Sequence, residues 1–458
     1  MNLKVPQSKL SRRDFLRISG LTTLALGVVA CAPAAPAGQP AASSGGQAAA
    51  PAAASVELRW VTNHSSIEIP GFEKIAQSFS EKNPNVKINI LNIAGNDYYN
   101  TINTQGVGGQ LPDLLYTRTY DLIPFASKSW TTNLQPLIDR DATEVNVKDF
   151  WPAEVEQMTY EGSLYALPYD FSNIGIVYNK SILDEAGVAE PTGDWAWSGL
   201  FDIATKLVKK DGDKVTRWGM AIASWAWVWI GILYGNGGKL FSDDNKQCII
   251  NSKENQETFE FFVKQRLAGV YPEGGALPQG VDPFASGLVA MGFEGSWATQ
   301  SRRESIGDKF PFDVTYLPKG STGKSSISAA GGAWGIATNS KATEQAWAFN
   351  KFLTSTDSTN KLISEPVRSI PSRQSSVPAW NKAAGAANAS PKNVHIFADQ
   401  MTDAWAQPFP LFWKDFEVAW SNRIVPMLNG GEGADTDVAG VLTQFQDEVN
   451  TIIKQSGA

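Results

Sequence analysis

The sequence predicts an α/β protein, and three features near the start of its folded part lead to this prediction. Residues 56–61 alternate between apolar and polar side chains, which is typical of a half-buried strand. Over residues 72–79 apolar side chains recur at helical spacing, and Asn83-Pro84 ends this predicted helix. A second alternating segment follows at residues 86–90. The order strand, helix, strand indicates a βαβ series and therefore a parallel sheet.

The later elements follow from the same patterns. Tyr98, Tyr99 and Ile102 predict a polar helix, and residues 113–116 form the next predicted strand. A second α/β region begins near residue 175. It contains strands at 174–178 and 329–338, helices at 254–267 and 343–353, and a largely helical stretch over 397–453. Because ligands bind at the carboxyl ends of parallel strands, the loops 62–66 and 117–121 are the first candidates for a site.

Length and composition exclude several classes of protein. With 458 residues, 43% of them hydrophobic and 19% charged, the chain can bury a core and form two or three domains or two large lobes. The formal net charge is −7, but residues 1–30 hold five basic residues against Asp14, so the rest of the chain carries −11. An acidic body without a Lys/Arg cluster argues against nucleic acid as a partner.

The N-terminus carries the pattern of a targeting signal. A basic stretch precedes an apolar run over residues 18–30, which is too short for a membrane span of about 20 residues. The segment Ser11 to Arg17 resembles a twin-arginine export signal, and Val28 to Cys31 resembles the lipobox of bacterial lipoproteins. The resemblance implies that residues 1–30 are removed before Cys31 and that the Cys31 thiol receives a diacylglyceryl anchor.

Residues 31–54 predict a lipidated cysteine followed by a flexible tether. After Cys31 this segment contains only Ala, Pro, Gly, Ser and Gln, so it has nothing to bury in a core. The chain has two cysteines, and with Cys31 lipidated, Cys248 has no partner for an intrachain disulfide. Cys248 lies in the apolar, strand-like run 248–250, which favours a buried thiol over a functional one.

The order of sequence landmarks resembles the sugar-type bacterial extracellular solute-binding proteins, the family of the maltose-binding protein. The resemblance rests on five segments: GFEKIAQSFSEKNPNVKINI (71–90), LPDLLY (111–116), YEGSLYALPYDFSNIGIVYNKSILDEAGV (160–188), FASGLVAMGFEGSW (284–297) and GGAWGIATNSKATEQAWAFNKFLTS (331–355). It implies an α/β, two-lobed periplasmic-binding-protein-like fold of type II, in which each lobe is a mainly parallel sheet flanked by helices and a multi-strand hinge joins the lobes. The lobes implied are 55–170 plus 331–370 and 171–330 plus 371–458.

The resemblance also implies a set of ligand-binding residues in the cleft between the lobes. One departure is notable, because maltose binders place a carboxylate where this chain has Ser172, which argues against maltose itself. Glu294 and Asp170 flank the implied cleft. The complete candidate set is Asn63, His64, Ser65, Thr117, Arg118, Tyr120, Asp170, Ser172, Asn173, Trp225, Trp227, Trp229, Glu294, Trp297 and Trp413.

The chemistry of these residue types fits a sugar. A pyranose ring has an apolar face of C–H groups, which stacks on an indole, and an equator of hydroxyls, which bonds to polar side chains. The 16 Trp include the five candidates. Six others are assigned to packing: Trp130, Trp151, Trp218, Trp347, Trp380 and Trp420. His64 and His395 are the only histidines, so no zinc site is expected, and the glycine-rich segments 106–109 and 235–238 lack phosphate-loop spacing.

These observations predict a non-catalytic receptor without a cofactor or metal. We expect a monomer anchored by lipid at the extracytoplasmic face of the cell membrane, which captures a sugar or oligosaccharide and delivers it to an ABC permease. Two alternatives stay open. The same fold could bind a non-sugar solute such as a polyamine, phosphodiester or chelate, or the chain could be a lipid-anchored glycoside hydrolase that uses Asp170 and Glu294 as its carboxylate pair.

Overall fold

Strand, helix and strand open the described part of the chain, in the predicted order. The computed structural model describes residues 55–457, except for 94, 96, 325, 326, 328, 329, 387–389, 432 and 433. The expectations for the signal peptide (1–30), for lipidation of Cys31 and for the tether (31–54) therefore lie outside the described residues.

Strands and helices alternate along most of the chain. The strands are β1 (Val56–Thr62), β2 (Val86–Asn92), β3 (Leu114–Arg118), β4 (Thr159–Tyr160), β5 (Ser163–Leu164), β6 (Ala166–Ser172), β7 (Ile174–Asn179), β8 (Lys209–Asp211), β9 (Lys214–Ala221), β10 (Val289–Gly295), β11 (Phe312–Thr315), β12 (Ala330–Ile336) and β13 (Ile370–Pro371). The helices are α1 (Ile69–Lys82), α2 (Asp97–Val107), α3 (Thr119–Ser127), α4 (Gln135–Arg140), α5 (Ala142–Val145), α6 (Pro152–Gln157), α7 (Lys180–Glu185), α8 (Trp197–Lys206), α9 (Ala226–Gly235), α10 (Lys253–Leu267), α11 (Thr299–Ile306), α12 (Thr343–Leu353), α13 (Thr356–Thr359), α14 (Val377–Ala386), α15 (His395–Asp399), α16 (Trp413–Asn429) and α17 (Val438–Ser456).

The first sheet has six strands in the order β13-β6-β12-β3-β1-β2. β1 runs parallel to β2 from the Val56–Val86 pair to the Thr62–Asn92 pair, and it also runs parallel to β3. β12 lies between β3 and β6 and is antiparallel to both. The carboxyl ends of β1 and β3 therefore meet at the same edge of the sheet, as the βαβ pattern predicts.

The second sheet has five strands in the order β11-β7-β10-β9-β8. β7 is antiparallel to both of its neighbours, β10 and β11, whereas β9 and β10 are parallel. The prediction of mainly parallel sheets is thus corrected, because both sheets are mixed. In each sheet, one strand that follows directly on a strand of the other sheet runs antiparallel to both of its neighbours. This strand is β12 in the first sheet and β7 in the second.

The chain passes between the two sheets three times. Asn173 is the single residue between β6 and β7, a second passage links β11 to β12, and a third follows β13. Side chains from both sheets meet at these passages in one buried cluster, which includes Phe171 and Ile370 from the first sheet and Val177 and Val314 from the second. The two-lobed α/β class with a multi-strand hinge is confirmed, while the residue boundaries of the lobes stay a prediction.

Each sheet has its own hydrophobic core, and we call the elements around them the first-sheet half and the second-sheet half. Trp60 and Trp334 meet at 5.1 Å in the core of the first half. The core of the second half contains helices α16 and α17, where Phe416 and Phe445 lie 5.5 Å apart. Among the described residues, no helix combines the length and apolarity needed to cross a membrane.

Two local predictions differ from the structure. The run 248–250 does not form the predicted strand. Instead, Cys248 forms an isolated β-bridge with Phe241. Cys248 is buried there as predicted, and burial raises the pKa of its thiol to about 12. The C-terminal stretch is helical in three parts, α15 to α17, with non-helical chain at 404–412.

Candidate functional site

A cleft of about 870 Å³ is lined by residues from both halves. Its size falls in the ordinary range of small-molecule sites, about 300–1,000 Å³. The first-sheet half contributes Asn63, His64, Ser65, Ile67, Glu68, Tyr116, Arg118, Tyr120, Asp170, Ser172, Ala330, Gly331 and Arg368. The second-sheet half contributes Ser224, Trp225, Ala226, Trp227, Trp297, Gln300, Ser301, Glu417, Trp420, Ser421 and Val425.

Asp170, on β6, places a buried carboxyl group in the cleft. We call this part of the cleft, with Tyr116 and Arg368, the polar end. The Tyr116 hydroxyl donates to Asp170 Oδ1 at 3.1 Å, and Arg368 Nη2 lies 3.4 Å from Oδ2. Burial raises the pKa of Asp170 to about 7. These donors fix the position of the carboxyl group within the cleft wall.

Two glycines of β12 make room for this polar end. A Cβ on Gly332 would overlap the hydroxyl of Tyr116, and a Cβ on Gly331 would lie 2.7 Å from the backbone oxygen of Asp170. Because neither glycine has a positive φ, the requirement is for space rather than for backbone freedom. Any other residue at these positions would displace the groups that line the cleft.

His64 follows β1 and presents an imidazole with unused hydrogen-bonding capacity. The residue is 4% exposed, and its ring meets the rings of Phe72 and Tyr116 at 4.8 and 4.5 Å. Neither ring nitrogen has a hydrogen-bond partner among the described residues. Burial, and to a smaller extent the charge of Arg368, lowers the pKa of His64 well below 6.5. The neutral ring can therefore offer one donor and one acceptor.

Arg118, at the end of β3, is held by a network of charges and rings. Its Nε lies 2.5 Å from Asp121 Oδ2, and its guanidinium lies over the rings of Tyr98 and Tyr120 at 5.2 and 4.8 Å. Lys414 Nζ lies 3.5 Å from the other Asp121 oxygen and 3.0 Å from Glu417 Oε2. Arg118, Asp121, Lys414 and Glu417 alternate in charge, so each charged group of this network lies beside a group of opposite sign.

Three indoles form the opposite wall. Trp225 and Trp227 are stacked with their ring centroids 6.2 Å apart, and Trp297 lies 5.9 and 5.8 Å from them. Trp225 is 51% exposed, which is unusual for a large apolar side chain. Gly295 permits this arrangement, because a Cβ at that position would overlap the ring of Trp297.

Trp420 supports this aromatic wall from helix α16. Its Nε1 donates to the backbone oxygen of Ser224 at 2.8 Å, next to Trp225. Although Trp420 is only 1% exposed, it lines the cleft. Trp420 thus packs in the core of the second-sheet half, as predicted, and also forms part of the cleft lining.

The structure brings ten of the fifteen candidate residues to this one cleft. They are Asn63, His64, Ser65, Arg118, Tyr120, Asp170, Ser172, Trp225, Trp227 and Trp297. The other five, which are Thr117, Asn173, Trp229, Glu294 and Trp413, lie outside its lining.

Thr117 and Asn173 are polar residues that the backbone turns away from the cleft. Alternate side chains of a strand point to opposite faces, so Thr117 faces away when Tyr116 and Arg118 face the cleft. The Asn173 side chain donates to the Phe397 backbone oxygen at 2.8 Å, within the hinge. Both expectations are corrected.

Trp229 is excluded by helical geometry. Trp225, Trp227 and Trp229 alternate along the sequence and would share one face of an extended segment, but helix α9 begins at Ala226. Residues two apart on a helix point about 200° apart, so Trp229 turns into the core, where it stacks on Phe259 at 5.1 Å. The expectation that it lines the cleft is wrong.

Trp413 and Glu294 are both engaged elsewhere. Trp413 is fully buried at the start of α16, 4.8 Å from Phe409 and 4.9 Å from Phe416. Glu294 is paired with Arg302 through contacts of 3.0 and 2.8 Å. The carboxylate pair of Asp170 and Glu294 that a hydrolase would need is therefore not assembled in the cleft.

Several lining residues were missed from the sequence. Glu68 and Arg368 form an ion pair at the polar end, and Gln300, Ser301 and Ser421 add polar groups beside the indoles. A signal existed for Trp420, since it lies seven residues, or two helical turns, after Trp413 in a helix crowded with aromatic residues. Nothing in the local sequence marks Arg368. Within the described residues, no group of three or more His, Cys, Asp or Glu is placed to hold a metal ion.

Comparison with known proteins gives consistent results. Residues 64–360 match the family model described as bacterial extracellular solute-binding protein. The lactose-binding protein of Rhizobium radiobacter is 25% identical over 57% of this chain, and the match spans 62% of that protein, which is less than two thirds of its length.

Two solved structures share the fold closely. An ABC substrate-binding protein of Listeria monocytogenes in complex with cycloalternan superposes with a TM-score of 0.78 and 22% identity, covering 88% of this chain and 99% of that one. UgpB from Mycobacterium tuberculosis in complex with glycerophosphocholine gives a TM-score of 0.76 and 17% identity, covering 88% of this chain and 100% of that one.

Proposed function

Since this chain belongs to the bacterial extracellular solute-binding proteins, we propose that it captures a sugar or oligosaccharide in the cleft and delivers it to the permease of an ABC importer. The lactose-binding relative and the cycloalternan complex support a carbohydrate ligand. The protein acts as a receptor, not as an enzyme, and releases its ligand chemically unchanged.

The wall of three indoles carries this proposal. Trp225, Trp227 and Trp297 present flat apolar surface at the edge of the cleft, and half of the surface of Trp225 is left uncovered. An exposed indole costs solvation free energy unless a ligand covers it. The C–H face of a pyranose ring is a matching surface, and stacking leaves the ring hydroxyls free at its equator.

The opposite wall supplies partners for those hydroxyls. Asn63, His64, Ser65 and Asp170 provide amide, imidazole, hydroxyl and carboxyl groups within one cleft. His64 is the clearest of them, because neither of its ring nitrogens has a partner among the described residues. A sugar hydroxyl donates and accepts at once, so it can satisfy a neutral imidazole.

The paired charges of the cleft support an uncharged ligand over the polyamine alternative. A polycation needs carboxylates that no other cation occupies. Here Glu68 and Asp170 contact Arg368, and Glu417 contacts Lys414 at 3.0 Å.

Ligand binding is coupled to transport by closure of the two halves. A sugar between the indole wall and the polar wall contacts both halves at once, so it stabilises the arrangement in which they are close. Asn173 and the other two passages are the places where the backbone must bend. The permease would recognise the closed form.

The N-terminal motifs support a lipid anchor at Cys31 on the extracytoplasmic face of the membrane. Residues 1–30 act as the export signal, and residues 32–54 connect the anchor to the folded body. Replacing Cys31 by Ser should release the protein from membranes into the soluble fraction. If the variant stays membrane-bound, lipidation at Cys31 is refuted.

The function is tested by titrating the purified protein with neutral glycans. The panel contains glucose, galactose, trehalose, maltose, maltotriose, lactose and raffinose. We expect a saturable change in Trp fluorescence with at least one member, which chromatography then recovers intact. Absence of binding across the panel, or cleavage of the bound glycan, would contradict the proposal.

A further inference from the structure

Arg368 places a buried guanidinium at the polar end of the cleft. Its side chain is 8% exposed, and it lies in the segment before β13. Nη1 donates to the Tyr169 hydroxyl at 3.3 Å, and Nη2 lies 3.4 Å from Asp170 Oδ2. A guanidinium in such a setting would bind a carboxylate or phosphate strongly, because it is poorly hydrated and can form two parallel hydrogen bonds.

Glu68 occupies the position that an anionic ligand would take. Its Oε1 contacts Arg368 Nε, and its side chain is 13% exposed. Its other oxygen, Oε2, accepts from the backbone nitrogen and the hydroxyl of Ser65 at 2.7 and 3.0 Å. Both carboxylate oxygens of Glu68 therefore have partners. The contacts with Ser65, in the loop after β1, and with Arg368 fix the position of the side chain.

The other cleft arginine is closed to anions in the same way. Arg118 is engaged by Asp121 and covered by Tyr98 and Tyr120. Arg368 is contacted by two carboxylates, Asp170 at Nη2 and Glu68 at Nε, and of these Glu68 lies in the loop between β1 and α1. The glycerophosphocholine of the UgpB complex is a zwitterion whose phosphodiester group is negatively charged, so this fold can accommodate an anionic group, and side chains of the cleft must decide whether such a group is accepted.

We infer that Glu68 is a specificity-determining residue that keeps the cleft selective for uncharged sugars by holding Arg368. This inference rests on the proposed function and deepens it. With Glu68 present, a uronate or a sugar phosphate meets the carboxylates of Glu68 and Asp170 at the polar end. Without the charge of Glu68, Arg368 becomes available to the acid group of the ligand.

The test compares binding of matched neutral and anionic sugars by isothermal titration calorimetry at constant ionic strength. The pairs are glucose with glucuronate, galactose with galacturonate, and trehalose with trehalose 6-phosphate. Wild-type protein should bind the neutral member of a pair at least tenfold more tightly. Glu68→Gln should reduce that ratio at least tenfold, and the amide oxygen can still accept from Ser65.

Glu273→Gln is the matched control. It also removes one negative charge from a pair with a buried arginine, because Glu273 contacts Arg266 at 2.8 Å, but neither residue lines the cleft. Its ratio of neutral to anionic affinity should stay within threefold of the wild type. An equal change in both variants would show a general effect of net charge and would overturn the role of Glu68.

The outcomes separate this inference from the proposed function. If no neutral sugar binds the wild-type protein, the proposed function fails and the inference fails with it. If a neutral sugar binds and Glu68→Gln leaves the ratio unchanged, only the inference fails. If circular dichroism shows that Glu68→Gln does not fold, the wild-type protein alone tests the inference. Equal affinity of the wild type for both members of a pair would then overturn the inferred selectivity for uncharged sugars.

Discussion

Two tryptophans of the second-sheet half differ in what their indoles do. Trp225 is 51% exposed at the mouth of the cleft, whereas Trp413 is fully buried between Phe409 and Phe416. Trp225→Ala should weaken binding of the panel sugar at least tenfold, because a stacking surface is lost, and should leave the melting temperature nearly unchanged. Trp413→Ala should lower the free energy of unfolding by about 3–5 kcal/mol and leave the affinity of the folded protein nearly intact.

Urea denaturation and calorimetric titration of both variants check this contrast. A stable Trp225→Ala protein with wild-type affinity would remove Trp225 from the binding surface. A Trp413→Ala protein of normal stability but weak affinity would return Trp413 to the site.

Glu154 makes stability depend on pH. It lies on α6, it is fully buried, and neither carboxyl oxygen has a hydrogen-bond partner among the described residues. Burial, with a contribution from the charge of Asp170, raises the pKa of Glu154 well above 4.5. The folded state therefore keeps a proton that the unfolded chain releases near pH 4.5. By linkage, stability from this group falls as pH rises above 4.5, until the folded-state pKa is passed.

Glu154→Gln removes this dependence. The variant should match the wild type in stability near pH 4.5 and exceed it at pH 8. Urea denaturation at both pH values measures the difference. Parallel stability curves for the two proteins would contradict a protonated Glu154 in the folded state.

Residue types in this site were easier to predict than side-chain directions. Asn63 follows from the polar loop after the first predicted strand and Trp297 from the family resemblance of its segment, and both line the cleft. Whether Trp229 faces the cleft or the core depends on the onset of a helix at Ala226, which a run of apolar residues does not mark. Arg368 reaches the cleft through a tertiary contact that local spacing cannot reveal.

At the scale of elements, strand β12 determines the space available to Tyr116 at the polar end of the cleft. Gly332→Ala would push a methyl group into Tyr116, and overpacking of this kind costs about 1–3 kcal/mol. The matched control is Gly385→Ala in helix α14, where a Cβ meets no atom within 4 Å and Ala favours the helix.

Chemical denaturation should show loss of stability for Gly332→Ala and none for Gly385→Ala. Gly332→Ala should also weaken sugar binding, because Tyr116 positions Asp170. If Gly332→Ala is as stable as the wild type, the close approach of β12 to Tyr116 is not a constraint on the fold.

Element types and the parallel arrangement of β1, β2 and β3 were predictable, whereas the directions of β12 and β7 were not. Helix α12 matches its predicted range of 343–353, and β1, α1 and β2 follow the predicted order. The hydrophobic pattern of β12 is the same for a parallel and an antiparallel strand. Its antiparallel insertion between β3 and β6 follows from the return of the chain across the hinge, which is a property of the whole molecule.

At the scale of the whole molecule, the cleft walls come from two halves joined by three passages. A ligand that contacts both walls should shift the protein to a more compact state. Small-angle X-ray scattering should show a smaller radius of gyration at saturating sugar and no change with a non-binding sugar of the same size. Tight binding without compaction would contradict closure of the halves.

The burial of Cys248 makes this closure directly observable. Its thiol is 2% exposed and its pKa is raised to about 12, so it reacts poorly with maleimide dyes in the native protein. In a Cys31→Ser background, two cysteines introduced on exposed surface, one in each half, would therefore be the reactive thiols. Donor and acceptor dyes at those positions would turn each binding event into a change in energy transfer, and single molecules could be followed as they open and close.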